Sequence, residues 1–222
     1  MQTPEPVARR RSWAPLAMAL WMAVLVLFLF SAMMAAFYDR FPSDEYIAHR
    51  IQDIDASGFA GYMDVVNVLG VSWLFVPLTA AVAMLLIARN GWVEGALVLL
   101  TFFPRWLNGI VKDTVDRPRP SPELLHATSE HSGASFPSGH TTGTAVLFAL
   151  LFLVMPLLVP WRPLRWLLQA ACLLFVISAG PARIYAGAHW PSDALGAYLL
   201  ALLFVIPALA VFAALGSRGN PR

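Results

Sequence analysis

The sequence has little charge and almost no cysteine. Only 13% of its 222 residues are charged, 59% are hydrophobic, and the mean hydropathy is +0.66. An average soluble domain carries about 25% charged residues, so this composition excludes an ordinary soluble globular protein. The single cysteine, Cys172, rules out an intramolecular disulfide and is expected to pack in the interior. No basic stripe with interleaved aromatic residues occurs, which argues against nucleic-acid binding.

Long apolar runs are what the sequence has in abundance. About 20 apolar residues are enough to span a bilayer, and several such runs follow one another along the chain. We predict an all-α fold in which one domain, residues 1–222, forms a six-helix transmembrane bundle. The first run is too long for the core of a cleaved signal peptide and is expected to be an anchor. The predicted spans are approximately residues 13–37, 65–88, 92–111, 141–159, 166–182 and 194–215.

The distribution of basic residues predicts the orientation of this bundle. In a six-span chain both termini lie on one side, and that side carries eight arginines: Arg9, Arg10, Arg11, Arg89, Arg162, Arg165, Arg218 and Arg222. The opposite side carries six basic residues: Arg40, Arg50, Lys112, Arg117, Arg119 and Arg183. Three of these six are candidates for a functional site. The positive-inside rule then places the termini in the cytoplasm and loops 38–64, 112–140 and 183–193 outside.

The first outward loop is expected to contain an interfacial helix. Ser43 is suited to cap a helix N-terminus, and acidic residues follow it directly. Such a helix would place four apolar side chains on one face that rests on the membrane. These four residues are Tyr46, Ile47, Ile51 and Ile54.

Three clusters of polar residues lie at the outer ends of the spans. The first, K-D-T-V-D-R-P-R-P, begins at Lys112, which is the only lysine beside 14 arginines and suggests a need for a compact ammonium group. The second, S-F-P-S-G-H, runs from Ser135 to His140 at the start of the fourth span. A helix N-terminus suits an anion such as phosphate, and Pro137 is expected to begin this helix.

The third cluster is A-R-I-Y-A-G-A-H-W-P-S-D, between the fifth and sixth spans. Asp193 follows His189 by four residues, and a carboxylate near a histidine fixes its tautomer and supports positive charge on the ring. Pro191 is expected to begin the sixth helix, with Asp193 in its first turn. Together the clusters supply cations and helix-terminal donors for a phosphoryl group. One histidine can attack phosphorus, and the other can protonate the leaving oxygen.

The three clusters resemble the signature of the type 2 phosphatidic acid phosphatase superfamily, which is K-x6-R-P, P-S-G-H and S-R-x5-H-x3-D. The sequence has Lys112-x6-Arg119-Pro120, then Pro137-Ser138-Gly139-His140, then Arg183-x5-His189-x3-Asp193, in the order of that family. One position departs from the pattern, because Ala182 stands where the family has a serine. This change removes one possible hydroxyl contact and leaves the residues assigned to chemistry in place.

The resemblance implies a role for each residue of the motifs. His189 would be the nucleophile that forms a phosphohistidine, with Asp193 orienting it, and His140 would protonate the leaving group and then activate water. The phosphate would be bound by five residues: Lys112, Arg119, Ser138, Gly139 and Arg183. No metal and no cofactor is implied. His126 and His131 are interpreted as loop-surface residues, and Asp113 and Asp116 as solvated or paired with Arg117.

The sequence thus predicts a metal-independent lipid phosphate phosphatase in a bacterial cytoplasmic membrane, with its site on the extracytoplasmic side. Its expected partners are the bilayer and a lipid phosphate, with no obligate protein partner. Undecaprenyl or another polyprenyl diphosphate, phosphatidylglycerophosphate and phosphatidic acid all fit as substrates. Two alternatives stay open: a lipid phosphotransferase that uses the same site, and an anionic-lipid transporter without chemistry. The transporter is disfavoured because broken helices in paired halves are not evident.

Overall fold

The computed structural model describes residues 14–70, 72–127 and 132–218. These ranges contain helices joined by loops and no β-strand, which confirms the predicted all-α class. In chain order the helices are α1 (Ala14–Phe37), α2 (Asp44–Gln52), α3 (Phe59–Leu69), α4 (Ser72–Arg89), α5 (Trp92–Leu99), α6 (Phe102–Val115), α7 (Gly139–Leu158), α8 (Arg162–Tyr185) and α9 (Pro191–Arg218).

Four of these helices are long and apolar enough to cross a membrane: α1, α7, α8 and the Pro191–Ala214 part of α9. They correspond to the first, fourth, fifth and sixth predicted spans, although α8 begins four residues earlier than expected. The chain is therefore a multi-pass membrane protein. Arg9, Arg10, Arg11 and Arg222, on which the predicted orientation partly depends, lie outside the described residues.

The second and third predicted spans are not continuous helices. Residues 65–88 are shared between α3 and α4, which separate at Gly70, and residues 92–111 are shared between α5 and α6. A helix end leaves backbone carbonyls without intrahelical partners. At the first interruption the carbonyl of Gly70 accepts a hydrogen bond from Arg105 Nη1 at 3.5 Å. Arg105, which lies inside the predicted third span, therefore supplies a hydrogen-bond donor to the backbone of the second span.

Helix α2 forms in the loop where the sequence predicts a helix, with the predicted residue at its N-cap. Ser43 occupies the N-cap position without a side-chain capping bond, and the Asp44 carboxylate instead accepts the backbone N–H of Phe41 at 2.8 Å. Tyr46 is 63% exposed, and Ile54 lies beyond the end of the helix. The side chains that α2 buries are those of Asp44 and Ala48. The helix therefore packs on the protein through a carboxylate, whose partners are described below.

Helix α7 lies at the centre of the fold. In its most apolar 18-residue window 67% of the residues are buried, against 17% in α1. Its apolar side chains join one core cluster with Phe75 of α4 and Cys172 of α8, which places the cysteine in the interior as predicted. They join a second cluster with Leu97 of α5 and Ala201 of α9. Because α4, α5, α8 and α9 all pack around α7, this helix is held from several sides.

Candidate active site

A cavity of about 310 Å³ opens at the N-terminal end of α7. Six of the eight predicted site residues line it, so the structure brings the three sequence clusters together. The other two predicted residues, Ser138 and Asp193, do not line the cavity. Ser132 also lines it and was not predicted. The lining residues are Lys112, Arg119, Ser132, Gly139, His140, Arg183 and His189.

Two of the cavity's three cations are held by backbone carbonyls. Lys112 Nζ donates to the carbonyls of Ala134 and Ser135. Arg119 donates through Nε to the Gly133 carbonyl at 2.9 Å and through Nη1 to the Ala188 carbonyl at 2.7 Å. In the described part of the chain, neither residue takes part in a salt bridge. Their positive charge is therefore left to act on whatever occupies the cavity.

Arg183, the third cation, is 8% exposed and projects from the last turn of α8. Its Nη1 donates to Asn67 Oδ1 at 3.1 Å, and the amide nitrogen of Asn67 donates in turn to the Ala182 carbonyl at 3.2 Å. The Nε of Arg183 is buried without a hydrogen-bond partner. A buried donor without a partner is costly, so Arg183 has hydrogen-bonding capacity that an anion in the cavity can satisfy.

His189 lies in the loop between α8 and α9 and is 2% exposed. Its Nε2 is 3.2 Å from Arg119 Nη1, and its Nδ1 is 3.5 Å from Asp193 Oδ2. A guanidinium can only donate, so Nε2 must accept and the ring proton belongs on Nδ1. Burial lowers the pKa of His189 to about 3, and the hydrogen bond and charge of Asp193 oppose that shift. The imidazole is therefore neutral near pH 7, with Nε2 carrying an unshared electron pair.

Asp193 stands in the first turn of α9, which begins at Pro191 as predicted. Its Oδ2 accepts hydrogen bonds from the Ser135 hydroxyl and from the backbone N–H of Trp190. The Ser135 hydroxyl also lies 3.4 Å from His189 Nδ1. Ser135 belongs to the second sequence cluster but has no predicted role, because its partner Asp193 is 58 residues away in the sequence.

Gly139 and His140 form the first turn of α7 and both line the cavity. They are closely packed from the side of α3 and α6. A Cβ on Gly70 would lie 2.8 Å from His140 Cδ2, and a Cβ on Gly139 would lie 3.2 Å from the Asn108 side-chain oxygen. The small residue at position 70, beside the helix interruption, thus leaves room for the imidazole of His140.

Ser138 lies one residue before the start of α7, and its side chain contacts Thr141. Helix α7 begins at Gly139 with Ser138 as its N-cap, so the predicted start at Pro137 is wrong. The Ser138 side chain is fully buried, and its oxygen accepts from the Thr141 N–H at 3.4 Å and the Thr141 hydroxyl at 2.9 Å. The extended backbone of Ser138 stops the helix from starting earlier, and its hydroxyl caps the helix.

Asp113 and Asp116 are exposed, which agrees with the first of their two interpretations, and the described contacts of Arg117 are with other residues. Arg117 is 1% exposed and forms salt bridges with Asp44 at 2.9 Å and with Asp193 at 2.7 Å. No local pattern in R-P-R-P distinguishes the role of Arg117 from that of Arg119. The motif could not reveal the partners of Arg117, which lie 73 and 76 positions away in the sequence.

His126 and His131 are interpreted from the sequence as loop-surface residues. His126 is exposed and does not line the cavity. His131 lies outside the described residues. Among the residues that are described, no group of three or more His, Cys, Asp or Glu side chains could hold a metal ion.

Comparison with known proteins finds a matching family and related sequences. The model of the PAP2 superfamily matches residues 93–216, more than half of the chain. Phosphatidylglycerophosphatase B of Bacillus subtilis (strain 168) is 33% identical over 142 residues, which cover 61% of this chain and 66% of that protein. Lipid A 1-phosphatase of Rhizobium johnstonii is 28% identical over 136 residues, which cover 56% and 50%. The matches thus span less than two thirds of either relative.

Two solved structures share the fold. The transmembrane PAP2 type phosphatidylglycerolphosphate phosphatase from Bacillus subtilis superposes with a TM-score of 0.71 and 21% identity, over 90% of this chain and 97% of that chain. LpxE of Aquifex aeolicus superposes with a TM-score of 0.59 and 21% identity, over 77% and 96%. At this identity the superpositions establish the arrangement of helices.

Proposed function

The chain belongs to the PAP2 superfamily, and we propose that it is an integral membrane phosphatase that removes the terminal phosphate of a lipid phosphate or diphosphate. The observation that carries this proposal is the contact between Arg119 Nη1 and His189 Nε2 inside a cationic cavity. A neutral nucleophile lies beside a group that binds phosphate, so a phosphoryl group held by the arginine would meet the imidazole lone pair. The names of the curated relatives support phosphatase activity as well.

In the proposed reaction His189 Nε2 attacks phosphorus, and the bond from phosphorus to the lipid oxygen breaks. His140 gives a proton to that leaving oxygen, so the lipid departs as an alcohol or as a monophosphate. The product is a phosphohistidine, whose ring carries positive charge that the Asp193 carboxylate stabilises. His140 then takes a proton from water, the water oxygen bonds to phosphorus, the P–N bond breaks, and inorganic phosphate is released.

The phosphate-binding residues are proposed to act in two ways. Lys112, Arg119 and Arg183 balance the negative charge that is spread over the equatorial phosphoryl oxygens in the transition state. Gly139 supplies a backbone N–H at the start of α7, and Ser138 contributes through the cap that fixes this turn. Because the cations supply the electrostatic stabilisation, we propose that the reaction needs no metal.

We further propose that one domain, residues 1–222, spans a bacterial cytoplasmic membrane six times. Helices α3–α4 together make the second span and α5–α6 the third, with α2 lying at the interface. The termini are proposed to be cytoplasmic, since the eight arginines of the predicted inner side lie near the two termini, at the end of α4 and in the first turn of α8. The cavity then faces outward at the membrane surface, where a lipid phosphate can present its headgroup.

Among the candidate lipids, phosphatidylglycerophosphate is the first choice, because the more similar curated relative is named for it. Phosphatidic acid and a polyprenyl diphosphate such as undecaprenyl diphosphate are the others. The test uses protein purified in detergent, the three lipids, and measurement of released phosphate. We expect His189→Ala to abolish release and His126→Ala, an exposed control, to leave it unchanged.

A lipid phosphotransferase is the second candidate, because the phosphohistidine could pass its phosphate to a lipid hydroxyl instead of water. The same assay separates the two activities when the lipid products are resolved as well. Phosphate recovered on a second lipid would favour transfer. No turnover of any phosphorylated lipid, together with retained lipid binding, would favour a transporter and contradict the proposed function.

A further inference from the structure

Behind the cavity lies a buried ion network in which one arginine joins two carboxylates. Arg117 Nη2 donates to Asp44 Oδ2 at 2.9 Å, and its Nη1 donates to Asp193 Oδ1 at 2.7 Å. Ser192 joins both sides: its hydroxyl accepts from Arg117 Nη1 and donates to Asp44 Oδ2 at 2.6 Å. The side chains of Arg117, Asp44 and Asp193 are at most 2% exposed.

The backbone completes the network around Arg117. The Nε donates to the carbonyls of Tyr38 and Asp39 at 3.2 and 3.1 Å, and the guanidinium lies 4.9 Å from the ring centre of Phe41. Asp44 Oδ1 accepts the backbone N–H of Ser192 at 2.9 Å. The turn after α1, the start of α2 and the start of α9 therefore all meet at this one side chain.

We propose that Arg117 is a positioning residue for the nucleophile, and that Asp44 is the anchor that holds it. Arg117 fixes Oδ1 of Asp193, which leaves Oδ2 directed toward His189 Nδ1. It also supplies the positive charge that allows the fully buried Asp193 to stay ionised while His189 is neutral. The inference rests on the proposed function, because it assigns Arg117 to the same phosphohistidine chemistry.

Charge bookkeeping supports this role. Before the reaction, Asp193 is paired with Arg117, which it shares with Asp44, and it has a neutral imidazole on its other side. When His189 is phosphorylated its ring gains positive charge, and an ionised Asp193 stabilises it. Without Arg117, the buried Asp193 carboxylate would lose the cation that is hydrogen-bonded to it, and its ionised form would be less stable. Because a protonated Asp193 could not supply that charge, phosphoenzyme formation would slow.

A purely structural role is the competing explanation, since Arg117 joins three segments of the chain. A double-mutant cycle separates the two. The rate of phosphoenzyme formation is measured by rapid quench in the wild type, Arg117→Gln, Asp193→Asn and the double variant. If Arg117 acts through Asp193, its loss is expected to lower the rate by about 10- to 100-fold, similar to the loss that follows removal of a residue that orients a metal-ligating histidine. In the Asp193→Asn background, the same loss then has little further effect.

Matched controls exist on the same elements. Glu45 neighbours Asp44 but pairs with the exposed Arg40 at 3.0 Å, so Glu45→Gln and Arg40→Gln are expected to leave the rate unchanged. Asp44→Asn keeps the size of the side chain and loses its charge, and is expected to lower kcat more than it changes KM. The KM is expected to change little because the lining cations Lys112, Arg119 and Arg183 are untouched.

Two outcomes would overturn the inference. In the first, the effects of Arg117→Gln and Asp193→Asn multiply in the double variant. In the second, Asp44→Asn and Arg117→Gln retain the wild-type rate. If Arg117→Gln does not fold, Asp44→Asn takes its place in the cycle with Asp193→Asn, and multiplication of their effects contradicts the proposal equally. A wild type that releases no phosphate would instead contradict the proposed function, so the two failures are distinguishable.

Discussion

Arg119 Nη1 lies 3.2 Å from His189 Nε2, and this contact determines the tautomer of the imidazole. Because the guanidinium has donors only, Nε2 accepts and Nδ1 carries the proton that faces Asp193. A phosphoryl group that replaced Nε2 as a partner of Arg119 would lie next to the lone pair. In the proposed reaction, the same arginine would fix the tautomer of the nucleophile and bind the phosphoryl group that it attacks.

The first prediction concerns Gly70. A Cβ at this position would lie 2.8 Å from His140 Cδ2 and 3.1 Å from Thr144 Oγ1, so Gly70→Ala must displace the imidazole of His140. We expect a loss of activity on the order of tenfold, below the full contribution of about 10²–10⁴ from a general acid. Lipid phosphatase kinetics measure this loss.

Gly109→Ala is the control for Gly70→Ala, because a Cβ at position 109 has no atom within 4 Å. It is expected to keep wild-type activity. If both alanine variants are fully active, the close packing of His140 against Gly70 has no part in catalysis.

The second prediction is a pH dependence of stability. Burial holds the pKa of His189 at about 3, whereas an unfolded histidine titrates near about 6.5. The unfolded state therefore binds a proton that the folded state does not, and stability is lost as the pH falls from about 6.5 toward 3, by at most about 1.4 kcal/mol per pH unit. Thermal unfolding midpoints in detergent between pH 7 and pH 4 measure the effect.

His189→Gln is the comparison for this measurement, because it removes the titrating ring and keeps a polar side chain. Its midpoint is expected to fall less steeply over the same range. Equal slopes in the two proteins would show that His189 is not held neutral by burial.

The third prediction concerns metals and inhibitors. With Lys112, Arg119 and Arg183 supplying the positive charge, phosphate release is expected to continue in the presence of EDTA. Vanadate is expected to inhibit, because it adopts the five-coordinate geometry of the attacked phosphorus. Activity that disappears on chelation and returns with Mg²⁺ would contradict the cationic mechanism.

The sequence predicted the residues that line the cavity more accurately than the bounds of the helices on which they lie. Motif spacing identified six residues that line it, from Lys112 to His189, because each motif is local and lies at a helix end. Hydropathy did not reveal the interruptions at Gly70 and at Thr101. A window of about 20 apolar residues averages over a break of one or two residues, and Arg105 satisfies the first break from a distance.

The groups behind the cavity could not be predicted, because their partners are distant in sequence. Arg117 meets Asp44 across 73 positions, and Ser135 meets Asp193 across 58. In the sequence, Asn67 is a polar residue inside a predicted span. Its hydrogen bond with Arg183 is apparent only in the folded chain. Such contacts depend on how the helices pack, which no local pattern encodes.

The fourth prediction tests the orientation without an activity assay. In a Cys172→Ala background, a cysteine at Ser121 is expected to react with an impermeant maleimide added to intact cells. A cysteine at Arg162, the first residue of α8, is expected not to react. Glu130, another possible position in the outer loop, lies outside the described residues. The reverse labelling pattern would turn the cavity toward the cytoplasm.

The fifth prediction separates the two histidines. His140→Ala is expected to slow both phosphoenzyme formation and hydrolysis, since a general acid contributes about 10²–10⁴-fold. The defect is expected to be smaller with a diphosphate lipid, whose leaving group is a phosphate monoester that needs less protonation. Single-turnover rates with a monophosphate and a diphosphate lipid measure the difference. Equal defects on both lipids would argue against proton donation by His140.

The most direct test of a covalent mechanism at His189 is rapid-quench detection of the phosphoenzyme with a lipid that carries labelled phosphate. The wild type is expected to form an acid-labile, base-stable adduct on His189 within a single turnover. His140→Ala is expected to form it slowly, and His189→Ala not at all. An adduct that survives in His189→Ala and disappears in His140→Ala would exchange the two roles and contradict the central claim.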